Sequence, residues 1–196
     1  HFVMSKDSGV TKFSDLEAKT ILLGKGSFGA KEGAKYLKLF GLEGKVKLAN
    51  VELNNAVPAI KNRQIDGFVT AGSYPAPNVL EAAAGVGVSL ISLSDAQVKK
   101  TKRTRLVIPA GTYPGVNQDT VTTSLPVIAY TISNMDDETA YQLTKTYWEQ
   151  ISSMGKAFPW WNGVSAKMLS NVYGKIHAGA LRYYDEAGIT VPAANR

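Results

Sequence analysis

The first two thirds of the chain alternate between short apolar runs with strand character and segments with helical periodicity. An apolar run at residues 20–23 leads into a glycine-rich loop at 24–29, and residues 30–40 fit a helix closed by Gly41. The alternation then continues with predicted strands at 45–53, 65–71, 86–93 and 106–108, and with predicted helices at 54–62 and 77–84. Strands separated by helices are typical of a mainly parallel sheet with helices on its faces, so the sequence predicts an α/β fold.

The pattern changes in the last third of the chain. Residues 125–132 form one continuous β-type run, and from Asp136 onward apolar residues recur at three- and four-residue steps, as in a helix. We therefore expect one domain over residues 1–122. This domain would be the second, central lobe of a two-lobed protein. Over residues 123–196 we expect a hinge strand and C-terminal helices that pack on the remnant of the first lobe.

Composition excludes several classes of protein. A chain of 196 residues with 44% hydrophobic and 19% charged residues is typical of a globular protein, and no apolar run approaches the roughly 20 residues of a membrane span. The absence of cysteine excludes disulfides, iron–sulfur clusters and thiol catalysis. The net charge is +6, but only residues 99–105 (KKTKRTR) are densely basic. This run fits a solvated loop or an anion-binding patch, and we expect no nucleic-acid partner.

The glycine-rich stretch LLGKGSFGAK, residues 22–31, matches the start of a protein-kinase glycine loop. A kinase also needs a histidine-containing catalytic loop and a metal-binding DFG turn, and the sequence contains neither motif. A Walker-type phosphate loop needs Gly-Lys-Ser or Gly-Lys-Thr at a fixed spacing, which is also missing. Both phosphate-transfer interpretations are therefore excluded.

Three interpretations of the same loop remain open. Gly24, Gly26 and Gly29 satisfy the dinucleotide pattern GxGxxG, and Glu52 follows about 20 residues later, where an acid would contact the ribose. Alternatively, the loop presents unpaired N–H groups and the positive end of a helix dipole to a carboxylate or another anion. The simplest interpretation is a helix N-cap by Ser27 with nothing bound.

Catalytic and metal-binding constellations are not evident in the sequence. The spacing shows no nucleophile–base pair and no paired carboxylates, so we expect no enzyme and no cofactor. The two histidines are His1 and His177, and His177 has no acid or second histidine at metal-ligand spacing. We expect His177 to cap a helix or to form a core hydrogen bond.

Three further stretches follow the glycine loop: IDGFVTAGSYP at 65–75, IPAGTYPG at 108–115 and IHAGALRYYDEAG at 176–188. Together with the loop, and in this order, they resemble the TAXI family of TRAP-transporter solute-binding proteins. The third is the most specific, and in it only Ala178 replaces the proline usual in the family. The resemblance covers essentially the whole chain.

The resemblance implies a type II periplasmic-binding-protein fold and an extracytoplasmic, periplasmic location. The protein would capture a small carboxylate or amino acid, similar to glutamate or 2-oxoglutarate, in a cleft between two lobes and pass it to an ion-driven TRAP permease in the membrane. Family members begin with a signal peptide and part of a first lobe. Because residues 1–4 match an interior strand of the family and no leader is visible, we expect this chain to lack that N-terminal portion.

The family's Gly-Ser-Gly-Thr motif at the helix N-terminus falls on residues 26–29. Gly26 and Ser27 agree with it, whereas Phe28 and Gly29 do not, and Phe28 would offer an apolar wall to a less polar or aromatic acid. Strand ends in open α/β sheets commonly hold ligands, which favours the loop after the 65–71 strand. The predicted ligand-binding residues are Gly26, Ser27, Phe28, Gly29, Ala30, Gly72, Ser73, Tyr74 and Tyr113.

Overall fold

The computed structural model describes residues 1–125 and 127–196, and the chain divides into two compact units, His1–Leu125 and Pro126–Arg196. The first unit is described completely and contains a sheet, a hairpin and four α-helices. Its elements are β1 (Phe2–Ser5), β2 (Thr20–Leu22), α1 (Phe28–Leu39), β3 (Lys47–Ala49), α2 (Ala56–Lys61), β4 (Gly67–Val69), α3 (Pro77–Val86), β5 (Val88–Leu90), α4 (Asp95–Thr101), β6 (Thr104–Ile108) and β7 (Thr120–Ser124).

The five-stranded sheet of the first unit has the order β3-β2-β4-β1-β5. Strand β2 pairs in parallel with both β3 and β4, while β1 is antiparallel to β4 and to β5. Four of the five strands therefore run in the same direction, and β1 is inserted between two of them. The predicted mixed α/β fold with a mainly parallel sheet and flanking helices is confirmed.

Both faces of this sheet are covered, because successive residues of each strand point to opposite sides. On one face, Phe2, Ile21 and Val69 form a cluster with Tyr36 and Leu37 of α1. The neighbouring residues of the same strands point to the opposite face, where they form a second cluster with α2 and α3. The strand residues are Val3, Leu22 and Phe68, and the helix residues are Val57, Ile60, Val79 and Ala82. This arrangement explains why the strands have continuous apolar sequences rather than an alternation with polar residues.

Strands β6 and β7 form a separate antiparallel pair, in register from Thr104↔Ser124 to Ile108↔Thr120. A hydrogen bond between the hydroxyls of Tyr36 and Thr123 ties this pair to α1. A second link is the ion pair between Arg103 and Glu32, whose N–O distance is 2.6 Å and whose side chains are largely buried.

The second unit consists of α5 (Asp137–Ala157), α6 (Ala178–Glu186) and short 3-10 turns. Asp136 caps α5 by accepting a hydrogen bond from Thr139 N at 2.8 Å, as the acidic cluster at this position predicts. His177 caps α6: its Nδ1 accepts from Gly179 N at 3.2 Å, and Nε2 lies 3.1 Å from Met135 O. The predicted helix-cap role of His177 is confirmed.

Two local predictions were wrong. The basic run 99–105 is not a loop, because it contains the end of α4, a left-handed residue at Lys102 and the start of β6. The β-type run at 125–132 includes Pro126, which lies outside the described residues, and its remaining residues form no strand. The predicted domain boundary at residue 123 concerns the lobes of a larger protein and stays a prediction.

Candidate functional site

The loop from β2 to α1 is shaped by its glycines and capped by its serine. Gly24 and Gly26 have φ angles of +80° and +75°, which other residues rarely adopt. Ser27 is the N-cap of α1, and its Oγ accepts a hydrogen bond from Ala30 N at 2.9 Å. The same hydroxyl lies 3.4 Å from Leu23 O, to which it donates. The Ser27 hydroxyl and the Ala30 amide are thus hydrogen-bonded to each other in the first turn.

The first two amides of α1 have no such partner. Neither Phe28 N nor Gly29 N has a hydrogen-bond acceptor among the described residues. These positions are the first of a helix, where no intrahelical acceptor exists and where the helix dipole adds a partial positive charge. Phe28 is 55% exposed, whereas Gly29 is buried where α1 approaches Ala71.

The first turn of α1 lies directly against the chain that leaves β4. A Cβ atom on Gly29 would be 3.1 Å from Ala71 N and 3.5 Å from Thr70 Cα, so glycine permits this close approach. Because β2 and β4 are parallel neighbours, their carboxyl ends lie at the same edge of the sheet. The structure therefore brings residues 26–30 and the segment after residue 69 together, and we call this region the carboxyl edge.

The predicted residues after β4 differ in exposure. Gly72 and Ser73 are exposed, and Tyr74 is half-buried against the cluster beneath α3. Tyr74 precedes Pro75 in a cis peptide bond, and α3 starts with Pro77 at its first position. Exposed backbone at Gly72 and Ser73 and the partly exposed Tyr74 ring are available for contact with a solute.

Tyr113 differs from the expectation of a ring in the cleft. Its side chain is completely buried, and its hydroxyl accepts a hydrogen bond from Ala76 N at 2.9 Å. The hydroxyl also lies 2.9 Å from Nε2 of His1, and burial raises the pKa of Tyr113 to about 12. The loop 109–116 folds inward because its tyrosine joins the apolar cluster around Phe68. Sequence reasoning did not identify His1 as a neighbour of this site, since β1 pairs with β4 only through a long-range contact.

The glycines of the dinucleotide pattern have explanations within the chain itself. A Cβ atom on Gly24 would lie 2.8 Å from Leu53 Cβ, so the loop passes close to the segment after β3. Gly26 has a positive φ, and Gly29 permits the approach to Ala71. Glu52 begins a 3-10 turn after β3. The three glycines are therefore required by local geometry whether or not a nucleotide binds.

Two shallow cavities lie elsewhere. One of about 280 Å³ is bordered by β3, α2 and the segment before β4. One of about 330 Å³ lies in the second unit around Tyr184 and Val191. Neither includes a residue of the carboxyl edge. Within the described ranges, no group of three or more His, Asp or Glu side chains is placed to hold a metal ion.

The profile of the NMT1-like family matches residues 1–188. The chain belongs to the NMT1-like family. This family is of the periplasmic-binding-protein type. The narrower TAXI assignment stays a prediction.

One solved structure similar to this NMT1-like chain is the alkanesulfonate-binding protein SsuA from Xanthomonas axonopodis pv. citri, bound to MOPS. The two share 14% sequence identity with a TM-score of 0.36, over 96% of this chain and 50% of the SsuA chain. The NMT1-like chain thus spans about half the length of SsuA. In the part of the chain that the structure describes, no helix combines the length and apolar character of a membrane span.

Proposed function

We propose that this chain is the solute-binding part of an extracytoplasmic protein that captures a small carboxylate or amino acid and delivers it to a TRAP-type permease. Membership of a family of periplasmic-binding-protein type supports capture without covalent chemistry. The resemblance of residues 65–75, 108–115 and 176–188 to the TAXI family supports the TRAP permease as partner and glutamate or 2-oxoglutarate as the ligand type.

The observation that carries this proposal is the pair of unpaired amides at Phe28 and Gly29. Two adjacent N–H groups at a helix N-terminus suit a carboxylate, because each carboxylate oxygen can accept one hydrogen bond and the dipole favours the negative charge. A hydrogen bond to a charged group contributes about 1.5–3 kcal/mol, so two such bonds can contribute a substantial share of a micromolar affinity.

The surrounding residues suggest what else the ligand contacts. Ser27 already accepts from Ala30 N, so we assign it chiefly to holding the first turn in place, with Gly26 setting the turn before it. The exposed Phe28 ring provides an apolar surface beside the amides. Tyr74 and the free backbone of Gly72 and Ser73 border the same edge, so they are proposed to contact the part of the ligand distant from its carboxylate.

Two variants at one position isolate the amide from the ring. Phe28→Pro removes the N–H at the first helical position, where proline is well tolerated, and Ser27 already has the extended backbone (φ −81°, ψ 156°) that a following proline requires. Phe28→Ala removes the ring and keeps the N–H. Comparing the two variants therefore measures the hydrogen bond alone.

The experiment is isothermal titration calorimetry of the wild type and both variants with L-glutamate, 2-oxoglutarate and an aromatic acid such as phenylpyruvate. We expect the Kd of Phe28→Pro to exceed that of Phe28→Ala by about 10-fold or more, which corresponds to the loss of one charge-assisted hydrogen bond. Equal Kd values for the two variants would refute the assignment of the amide. Binding of NADH or NADPH but of no carboxylate would favour the dinucleotide alternative at Gly24, Gly26 and Gly29.

A further inference from the structure

His1 borders the same edge of the sheet as the first turn of α1. Its backbone N donates to Thr70 O at 2.7 Å, and its carbonyl accepts from Thr70 N at 3.1 Å. Gly29 approaches Thr70 from α1, with its Cβ position 3.5 Å from Thr70 Cα. His1 and the free amides of α1 are therefore both next to Thr70, at the carboxyl edge.

The hydrogen bonds of Tyr113 determine which nitrogen of His1 carries a proton. The Tyr113 hydroxyl accepts from Ala76 N, and it has one proton of its own to donate. Nε2 of His1, at 2.9 Å, is the only acceptor for that proton within residues 1–125. Because the hydroxyl is completely buried, leaving this proton without an acceptor would carry the full penalty of a buried unpaired donor.

A neutral imidazole that accepts at Nε2 carries its proton on Nδ1. Nδ1 of His1 has no hydrogen-bond partner within the first unit. The one fully enclosed side-chain nitrogen or oxygen atom without a partner among the described residues is Arg103 Nε. Since His1 is half-buried, its Nδ1 is not fully enclosed. The structure thus leaves an oriented, unused N–H donor at the carboxyl edge.

We propose that His1 Nδ1–H is a second donor of the ligand site and that Tyr113 is the positioning residue that holds His1 in this tautomer. This inference rests on the proposed function. The His1 side chain shares a face of the sheet with Val3 and Tyr113, whereas α1 packs on the opposite face. The Nδ1–H of His1 and the amides of α1 thus lie on the two sides of Thr70. Two separated sets of donors suit a dicarboxylate, which has oxygen acceptors at both ends, better than a monocarboxylate.

The tautomer is measurable without any ligand, because the chain contains two histidines. Imidazole ¹⁵N shifts from two-bond ¹H–¹⁵N correlations at pH 8 distinguish the protonated nitrogen from the accepting one. We expect Nδ1–H for His1 and the opposite tautomer, Nε2–H, for His177, whose Nδ1 accepts from Gly179 N. In Tyr113→Phe the His1 signals should shift towards a mixture of tautomers, while those of His177 stay unchanged. An Nε2–H tautomer for His1 in the wild type would overturn the inference whatever the binding data show.

Two substitutions of His1 measure the contribution of each ring nitrogen to ligand affinity separately. The amide of His1→Asn reaches the position of Nδ1, and that of His1→Gln reaches the position of Nε2 and keeps a partner for Tyr113. With L-glutamate and 2-oxoglutarate as probes, we expect His1→Gln to raise the Kd by about 10-fold or more and His1→Asn by no more than about 3-fold. The monocarboxylate butyrate should bind all three proteins with the same affinity.

The outcomes distinguish this inference from the proposed function. If glutamate or 2-oxoglutarate binds and depends on the Phe28 amide, but His1→Gln binds as well as the wild type, the inference fails and the proposed function stands. If neither probe binds the wild type, the proposed function fails together with the inference that rests on it.

Discussion

The substitution Gly179→Ala should destabilise the second unit, although alanine is the better helix former. Gly179 lies in the first turn of α6, where a Cβ atom would overlap Asp137 O and lie 2.9 Å from Tyr141 N. Both neighbours are backbone atoms of α5 and cannot rotate away. Ordinary contacts of a carbon atom are about 3.5 Å or longer, so α6 has to move away from α5 to admit the methyl group.

The magnitude follows from three opposing contributions. Overpacking of this kind costs about 1–3 kcal/mol or more, and moving α6 weakens the His177 cap, which contributes about 1 kcal/mol. Alanine recovers about 1 kcal/mol of helix propensity. Since the last two contributions cancel, we expect a net loss of about 1–3 kcal/mol in the free energy of unfolding. This corresponds to a fall in Tm of about 2–12 °C if a chain of this size unfolds cooperatively.

Thermal unfolding followed by circular dichroism measures this effect, with Gly155→Ala as the control. Gly155 is also helical, but the atoms that its Cβ would meet belong to the side-chain amide of Asn162, which can rotate. The control should lose much less stability than Gly179→Ala. A Gly179→Ala protein as stable as the wild type would refute the reasoning, because it would mean that the two helices are not in backbone contact at this point.

Three further predictions concern titration and ion pairs. Burial raises the pKa of Tyr113 to about 12, so its stabilising contribution is complete below pH 10 and is lost as the pH rises towards 12. Tyr113→Phe should remove this alkaline loss of stability in denaturation curves. The same variant should cost about 1–3 kcal/mol, because Ala76 N–H loses its acceptor. The hydrogen bond from Thr139 N–H holds the pKa of Asp136 below its usual 3.8. The contribution of Asp136 to the free energy of unfolding is therefore present above pH 3.8 and is lost as the pH falls further. Asp136→Asn still caps α5 and should reduce this loss of stability at acidic pH. Arg103→Ala leaves a largely buried glutamate unpaired and should cost about 1–3 kcal/mol in urea denaturation. Arg105→Ala breaks an exposed pair and should cost less than about 1 kcal/mol.

The sequence identified the elements whose signals are local. The apolar run before Gly24 is β2, the helix before Gly41 is α1, and Asp136 caps α5, because each depends on residues within a few positions of one another. The glycine loop was likewise placed correctly between a strand and a helix. Whether it binds a carboxylate stays a prediction.

The features that sequence reasoning missed depend on partners far along the chain. Strand β7 (TVTTS) lacks the apolar alternation of a strand and is stabilised by pairing with β6. The apolar run at 125–132 has strand composition, but Val127 and Tyr130 are 95% and 96% exposed, because composition does not supply a hydrogen-bonding neighbour. Tyr113 was expected in the cleft from its position on the loop 109–115, which is rich in proline and glycine. Only the packed structure shows its hydroxyl between Ala76 and His1.

The antiparallel position of β1 has a consequence for synthesis on the ribosome. His1 hydrogen-bonds Thr70, 69 residues later, and β1 also needs β5 on its other side. At about 5–20 residues per second, β1 waits about 3–14 s for β4 to be translated, and longer for β5. During that interval three apolar residues, Phe2, Val3 and Met4, have no native strand beside them. An unpaired apolar strand is prone to pair with the wrong neighbour, so the order of synthesis leaves β1 exposed to misfolding until β4 is complete.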